Sequence, residues 1–376
     1  MKKSIQSFIL CAVMCCSMGG CSLGGGSSNS SSNSENTPSA VTITKGMGEV
    51  YPYIDEMTNY LLAPEEAEVA RFAGNYFNQA KGVELAWECS QTEVEKFVVE
   101  YGVKSENTRT EVTLGGDTFS YKLYNLYKAT EYEWSVTATL KNGEIHSAKE
   151  SFFTTDKGPR VMQIDGIYNT RDLGGYMTDS GKRTKQGPFY RGGALLPVDV
   201  YDSNLTEEGK LYMLESMRIA TELDLRGFGA ESNYLSISPI PGAKLEYAMV
   251  GGYADAFSMK SEFRYVFSII ANPEKYPIYM HCTGGADRTG TVAFLVNALL
   301  GVAEKDLILD YEMTTFSVYH VRSTTMGEYS EMFQEFLTKL KAYEGETLKE
   351  KTENYLLSIG VTQAEIDSIR AIMLGE

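Results

Sequence analysis

Two hydrophobic periodicities divide the chain. Between about residue 80 and residue 156, apolar and polar side chains alternate. From Glu131 to Leu140, Tyr132, Trp134, Val136, Ala138 and Leu140 share one face, while Glu131, Glu133, Ser135, Thr137 and Thr139 share the other. That is the pattern of a half-buried antiparallel strand. Lys141, Asn142 and Gly143 then supply a hairpin turn, and Ile145 to Thr154 reads as the returning strand. Earlier strands are predicted over 83–87, 96–101, 110–114 and 119–123, and short strands at such regular spacing predict a β-sandwich. Further on the pattern changes. Pro277 to Met280 is a short apolar run suited to a buried strand, and Thr291 to Leu300 is apolar almost all round, as a buried helix would be. The chain is therefore read as multidomain, an all-β sandwich ahead of an α/β domain. Ahead of both, Pro64 to Phe72 predicts a short helix with Pro64 in its first turn.

The amino end follows neither period. Lys2 and Lys3 precede an apolar run from Phe8 to Cys16, a charged-then-apolar order that reads as an export signal. Met18, Gly19 and Gly20 precede Cys21 in a pattern similar to the lipobox of bacterial lipoproteins, where the thiol is lipidated and becomes the new amino terminus; Met18 stands where that pattern prefers Leu. From Ser22 to Ala40, 14 of 19 residues are Gly, Ser or Asn, a composition that stays a flexible coil. The expectation is an exported protein held at a bacterial cell surface by a lipid on Cys21.

Charge and cysteine content narrow the function classes. Lys and Arg total 34 against 50 Asp and Glu, a formal net charge of −16. So acidic a chain repels nucleic acid, and any anion site on it must be local and preorganised. Outside the first 21 residues only Cys89 and Cys282 remain, which makes neither a disulfide framework nor a zinc cage. With three histidines, His146, His281 and His320, a histidine-based metal centre is not expected, and no cofactor is implied.

The chemistry concentrates between His281 and Gly290, in the order His281, Cys282, Thr283, Gly284, Gly285, Ala286, Asp287, Arg288, Thr289, Gly290. A strand, a glycine-bearing loop and a helix aim backbone N–H groups and a helix amino end at one point, which attracts a dianion such as a phosphate ester. The same groups favour the Cys282 thiolate, bringing its pKa from about 8.5 into the range of roughly 3.5–7.5 found in such settings. A thiolate attacks phosphorus without a separate base. Arg288 presents a planar fork to two phosphoryl oxygens, and Thr289 has a hydroxyl to offer the sulfur. The substrate-binding loop is thus Thr283, Gly284, Gly285, Ala286, Asp287 and Arg288. A plain buried cysteine at a strand–turn–helix corner would leave the adjacent Asp and Arg unexplained.

The block resembles the signature of cysteine-dependent tyrosine phosphatases, and more narrowly the bacterial tyrosine/dual-specificity branch whose loop reads HCxxGKDRTG. Asn169 to Gly175 matches the NxRDLGG segment of that branch, Thr221 to Arg226 its DLR strand end, and Asp310–Tyr311 with Tyr355 to Gly360 its closing segments. Two departures stand out: Tyr190–Arg191–Gly192 replaces the usual Arg-Ser there, and Ala286 replaces a loop lysine associated with phosphoinositide use. The resemblance covers about residues 160 to 376 and implies hydrolysis of phosphotyrosine, with possible dual specificity, through a phosphocysteine. The sandwich resembles a fibronectin type III module through Trp87, through Leu126, Thr130 and Tyr132 around a tyrosine corner, and through Phe152 to Thr155.

An acid must protonate the leaving oxygen. Asp224, at the carboxyl end of a predicted strand, comes first, and the resemblance also points to it; Asp287 is the rival, with Asp255 behind both. His281, Arg171, Asp172 and Arg226 are expected to support the loop, Arg191 to stand near it, and Arg322 to lie on solvated surface. The organisation expected is 1–21 signal, 22–40 linker, 41–79 an unassigned lead-in, 80–157 the sandwich and 158–376 the catalytic domain. Partners are a phosphorylated protein or small phosphoester and the membrane through Cys21, with the sandwich's partner open. Two other readings stand beside this one: a phosphatase of inositol phosphates or phosphoinositides, and a non-catalytic phospho-binding or adhesion lipoprotein.

Overall fold

A computed structural model describes residues 40–197, 203–319 and 321–375. The predicted signal, Cys21, the linker through residue 39 and His320 lie outside the described residues. Eight strands build the first half: β1 (Val41–Lys45), β2 (Gly48–Val50), β3 (Val83–Cys89), β4 (Val94–Val103), β5 (Thr110–Gly115), β6 (Ser120–Leu123), β7 (Glu131–Leu140) and β8 (Ile145–Thr154). They form a three-stranded sheet, β1-β3-β6, and a five-stranded sheet, β2-β8-β7-β4-β5. The two sheets enclose one core, with Val41, Leu85 and Trp87 from one against Phe97, Val99, Trp134 and Val136 from the other. The alternating face of β7 is buried at every second residue, as its sequence requires. The Tyr132 hydroxyl accepts from the Tyr127 amide at 2.8 Å, tying the start of β7 to the loop before it.

The lead-in divides between the two halves. Its first part supplies β1 and β2, one strand to each sheet. Its second part contains α1 (Asp55–Leu62) and a 3-10 turn, Val69–Arg71. Pro64 does not open a helix as expected. It follows Ala63, which has the extended backbone that a residue before proline favours, and so closes α1 instead. Tyr53, Met57 and Val69 pack with Val161, Met313 and Phe316 in a separate apolar cluster, so this segment is bound to the second half of the chain.

That second half is a six-stranded sheet in the order β13 (Lys244–Tyr247), β12 (Thr221–Asp224), β14 (Ile278–His281), β11 (Phe189–Gly192), β10 (Arg171–Asp172), β9 (Arg160–Val161). The first four are mutually parallel, and β10 pairs antiparallel with both β11 and β9. Helices α2 (Glu207–Glu215), α3 (Lys260–Ile270), α4 (Asp287–Leu299), α5 (Glu304–Glu312), α6 (Glu328–Lys341), α7 (Leu348–Ser358) and α8 (Gln363–Leu374) complete it. Every residue of α4 from Thr289 to Leu299 is buried, which explains its apolar sequence on all sides. Helices α7 and α8 each open with a capping box, Thr347 with Glu350 and Thr362 with Glu365.

The sandwich and the α/β sheet meet directly. Arg160, buried on β9, donates to the Leu126 carbonyl at 3.0 Å and the Asn125 carbonyl at 2.6 Å, while its Nη1 reaches Asp172 Oδ2 at 2.8 Å. The amide of Gln163 donates to the Asn125 side chain, and the Asn125 amide group donates to the Gln163 carbonyl. One guanidinium thus links the loop between β6 and β7 to β10 of the second sheet. No helix among the described residues is long and apolar enough to cross a membrane.

Candidate active site

Parallel register sets the site. On β14, His281 lies opposite Asp224 of β12 on one side and Gly192 of β11 on the other, so the carboxyl ends of three strands form one row. In open α/β sheets this is the edge at which ligands bind. Cys282 follows at once, buried, and α4 begins five residues later at Asp287.

The loop between them is shaped by what surrounds it. The carbonyl of Thr283 accepts from the Ala194 amide and the Tyr319 hydroxyl, both at 3.0 Å. The Gly284 carbonyl accepts from Asn169 Nδ2 at 2.8 Å, and the Gly285 carbonyl from Arg191 Nη2 at 2.6 Å. In a trans peptide the C=O and the next N–H point opposite ways. Three carbonyls drawn outward therefore turn the amides of Gly284, Gly285 and Ala286 toward the inside of the loop. The first intrahelical bond of this end runs from the Gly290 amide to the Ala286 carbonyl, so the amides of Asp287, Arg288 and Thr289 have no acceptor inside the helix. The result is a bowl of N–H groups at a helix amino end, suited to an anion. Gly285 is required: its φ is +64°, and a Cβ there would lie 2.2 Å from the Gly192 carbonyl oxygen.

Cys282 sits in that bowl. Burial by itself would raise its pKa, but the Arg288 charge, the Thr289 side chain and the Thr289 amide outweigh it, and the thiol is lowered from its ordinary value. The Thr289 hydroxyl is buried without a hydrogen bond of ordinary geometry, so its influence on the sulfur is that of a nearby dipole rather than a fully formed bond. Arg288 Nη2 donates to Thr283 Oγ1 at 3.2 Å and to Glu231 Oε2 at 2.8 Å. Glu231 belongs to a 3-10 turn, Ala230–Ser232, whose Glu231 carbonyl also accepts from Arg226.

The carboxylates divide sharply. Asp224 is 1% exposed, and Arg226 grips both its oxygens, Nε to Oδ1 at 2.9 Å and Nη2 to Oδ2 at 2.7 Å. Burial pushes its pKa up, but His281 and Arg226 together leave it below the usual carboxylate range. Asp287 accepts from the Tyr253 hydroxyl at 2.5 Å and from Arg322 at 2.8 and 3.0 Å, with its side chain 34% exposed. Arg322 is therefore no surface residue: it is buried against Asp287, with its guanidinium 3.5 Å from the centre of the Tyr329 ring. Asp255 is exposed on its own 3-10 turn.

Support comes from beneath and behind. His281 lies between Glu222 Oε1, 2.9 Å from Nε2, and the Cys282 carbonyl, 3.1 Å from Nδ1. Burial opposes its charge, yet the nearby Asp224 and Glu222 raise its pKa above the ordinary value. Arg171 is fully buried and donates to the Asp310 carbonyl and Thr314; Asp172 accepts from the Gly174 and Gly187 amides and from Arg160. Arg191 joins Asp310 at 2.5 Å to the back of the loop. Arg191 holds the loop it was expected to stand near, and Asn169, Tyr319 and Glu222, to which the sequence gave no such role, complete the support. Glu222, Asp224 and His281 offer ligand atoms within 4.8 Å of one another. With Arg226 on Asp224 and His281 on Glu222, the trio is better described as a charge network than as a vacant metal cage.

Comparison with known proteins agrees in part. A family model described as "Tyrosine phosphatase family" matches residues 162–375. A protein of Cupriavidus necator, provisionally named a tyrosine-protein phosphatase, is 28% identical over 173 residues, 41% of this chain, and the match spans 63% of that protein's length. Among solved structures, the core catalytic domain of the PP-IP phosphatase SIW14 from S. cerevisiae is similar at a TM-score of 0.31 and 15% identity, over 47% of this chain and 88% of that one. An FN3 domain of human collagen XX is similar at a TM-score of 0.16 and 24% identity, over 18% of this chain and 75% of that one.

Proposed function

The chain belongs to the tyrosine phosphatase family, and on that premise we propose that it is a cysteine-dependent phosphomonoesterase acting on aryl phosphates, phosphotyrosine first. The observation that carries the reading is a thiol of lowered pKa inside a loop whose amides turn inward beneath Arg288.

Cys282 Sγ attacks phosphorus, the phosphorus–oxygen bond to the leaving group breaks, and a phosphocysteine forms. Arg288 and the loop amides hold the three equatorial oxygens as charge develops on them. Asp287 protonates the leaving oxygen. In support, both carboxylates carry an arginine, but Asp224 under Arg226 is only 1% exposed, whereas Asp287, bonded by Arg322 and Tyr253, keeps 34% of its side chain open to solvent. Water then attacks phosphorus, with Asp287 as base, and the thiolate leaves with the Thr289 hydroxyl close by. Glu231 and Thr283 hold one nitrogen of the Arg288 fork in place before substrate arrives. The buried Ala286 adds no cation to the loop, which favours a single aryl phosphate over a polyphosphorylated inositol.

Export and anchoring through Cys21 remain part of the proposal, on the strength of the amino-terminal pattern alone. Turnover of p-nitrophenyl phosphate by the wild type and by Cys282→Ser tests the chemistry. Near-complete loss in the variant is expected, and equal rates would remove Cys282 as nucleophile.

A further inference from the structure

The segment after β12 carries large apolar side chains into solvent beside the site. Phe228 is 64% exposed, Tyr234 62% and, two residues past the end of β13, Met249 65%. Soluble proteins rarely leave such side chains bare together unless something docks on them. These form one cluster. The Phe228 ring lies edge-on to Tyr234 at 5.5 Å and to Tyr247 at 5.7 Å, both at 77°. Met249 is bridged through its backbone to Arg226.

The backbone is arranged for this display. Gly227 has φ +74°, and a Cβ there would lie 2.7 Å from the Met249 Cβ, so only glycine lets the segment pass so close. Asn233 and Tyr234 both have positive φ, a left-handed conformation that bulky side chains avoid, and it holds Tyr234 against Phe228. The Tyr247 hydroxyl donates to the Leu235 carbonyl and pins the far end of the segment.

The cluster is continuous with the phosphate site. Arg226, immediately before Gly227, holds Asp224, and Glu231, three residues after Phe228, contacts Arg288. Charge decides between a polypeptide and a lipid surface. The chain carries −16, and Glu231, in the same segment as Phe228 and Tyr234, has its side chain 57% exposed. An anionic bilayer is repelled by that surface, whereas a neutral or basic peptide segment is not.

We propose that Phe228, Tyr234, Tyr247 and Met249 form a subsite for an apolar side chain next to the phosphorylated residue of an extended polypeptide, an assignment that rests on the phosphomonoesterase reading above. The rings supply flat apolar contact, and burying one aliphatic side chain there is worth about a tenfold gain in kcat/KM.

The test compares the full chain acting on p-nitrophenyl phosphate and on two phosphotyrosine peptides that differ only in having Leu or Ser beside the phosphotyrosine. The wild type should prefer the Leu peptide by about tenfold, through KM. In the double variant Phe228→Ala, Tyr234→Ala the preference should fall to near unity, and Phe228→Leu should restore part of it. A wild type that hydrolyses p-nitrophenyl phosphate but treats both peptides alike overturns the subsite and leaves the reaction standing. A double variant that keeps the preference does the same. A wild type inactive on all three overturns both. Sedimentation with phosphatidylserine vesicles that the double variant alone loses would assign the rings to lipid and overturn the proposal.

Discussion

Arg226 grips both carboxylate oxygens of Asp224, at 2.9 and 2.7 Å, with both side chains almost wholly buried. A pair held in this way is structural glue between β12 and the segment after it. Asp224→Asn leaves the Arg226 charge buried and half-paired, and should lower stability by about 3–5 kcal/mol in urea denaturation. The dependence of rate on leaving-group quality should stay as in the wild type.

Asp287→Asn should behave in the opposite manner. Loss of a proton donor slows esters of poor leaving groups most, here by about a hundredfold to ten-thousandfold for phenyl or alkyl phosphates. p-Nitrophenyl phosphate, whose leaving group is already acidic, should suffer far less. A leaving-group plot that steepens in Asp287→Asn and not in Asp224→Asn identifies the acid; the reverse result restores Asp224.

Thr289→Ala should move the acid limb of the kcat/KM profile to higher pH. The folded protein holds the Cys282 pKa below its ordinary value, and Thr289 contributes to that lowering. Without the hydroxyl the thiolate forms only at higher pH. The rate of alkylation by iodoacetamide against pH reads the same shift without depending on turnover. An unchanged limb would leave Arg288 and the amides as sufficient.

His281 predicts a pH dependence of stability. Its folded pKa lies above the unfolded value of about 6.5. Its contribution is therefore fully present below about pH 6.5 and is lost as pH rises through the folded pKa. Glu222→Gln removes one partner that raises it. The stability gap between wild type and this variant should be widest in mild acid and narrow on the alkaline side, in denaturation curves taken across that window.

What was legible followed the physics of local pattern. The six predicted strands of the sandwich all appear, because alternation over four to ten residues reports directly which face is buried. The segment around α4 was equally plain, since a helix buried on all sides has no choice but apolar residues. Cys282, Arg288 and the loop were legible because their spacing is short. Strands β1 and β2, five and three residues long, carry too little pattern to read. The charge partners were invisible for another reason. Asp287 finds Arg322 35 residues away, Arg288 finds Glu231 57 away, and Arg191 finds Asp310 119 away. Such pairs are set by how the strands are ordered in the sheet, which no local signal encodes. Arg322 therefore looked like an ordinary surface cation, although it is a buried partner of the loop.

The lead-in cluster of Tyr53, Met57 and Val69 against Met313 and Phe316 bears on where the enzyme can be cut. A chain trimmed to the stretch matched by the family model would begin at residue 162. It would lose Arg160, leave the Asp172 carboxylate buried without its cation, and strip the apolar cover from Met313 and Phe316. Such a fragment should be prone to aggregation even though Cys282, Asp287 and Arg288 are all present. The smallest soluble enzyme is therefore expected to start near Val41, with the sandwich retained as part of the catalyst's own hull.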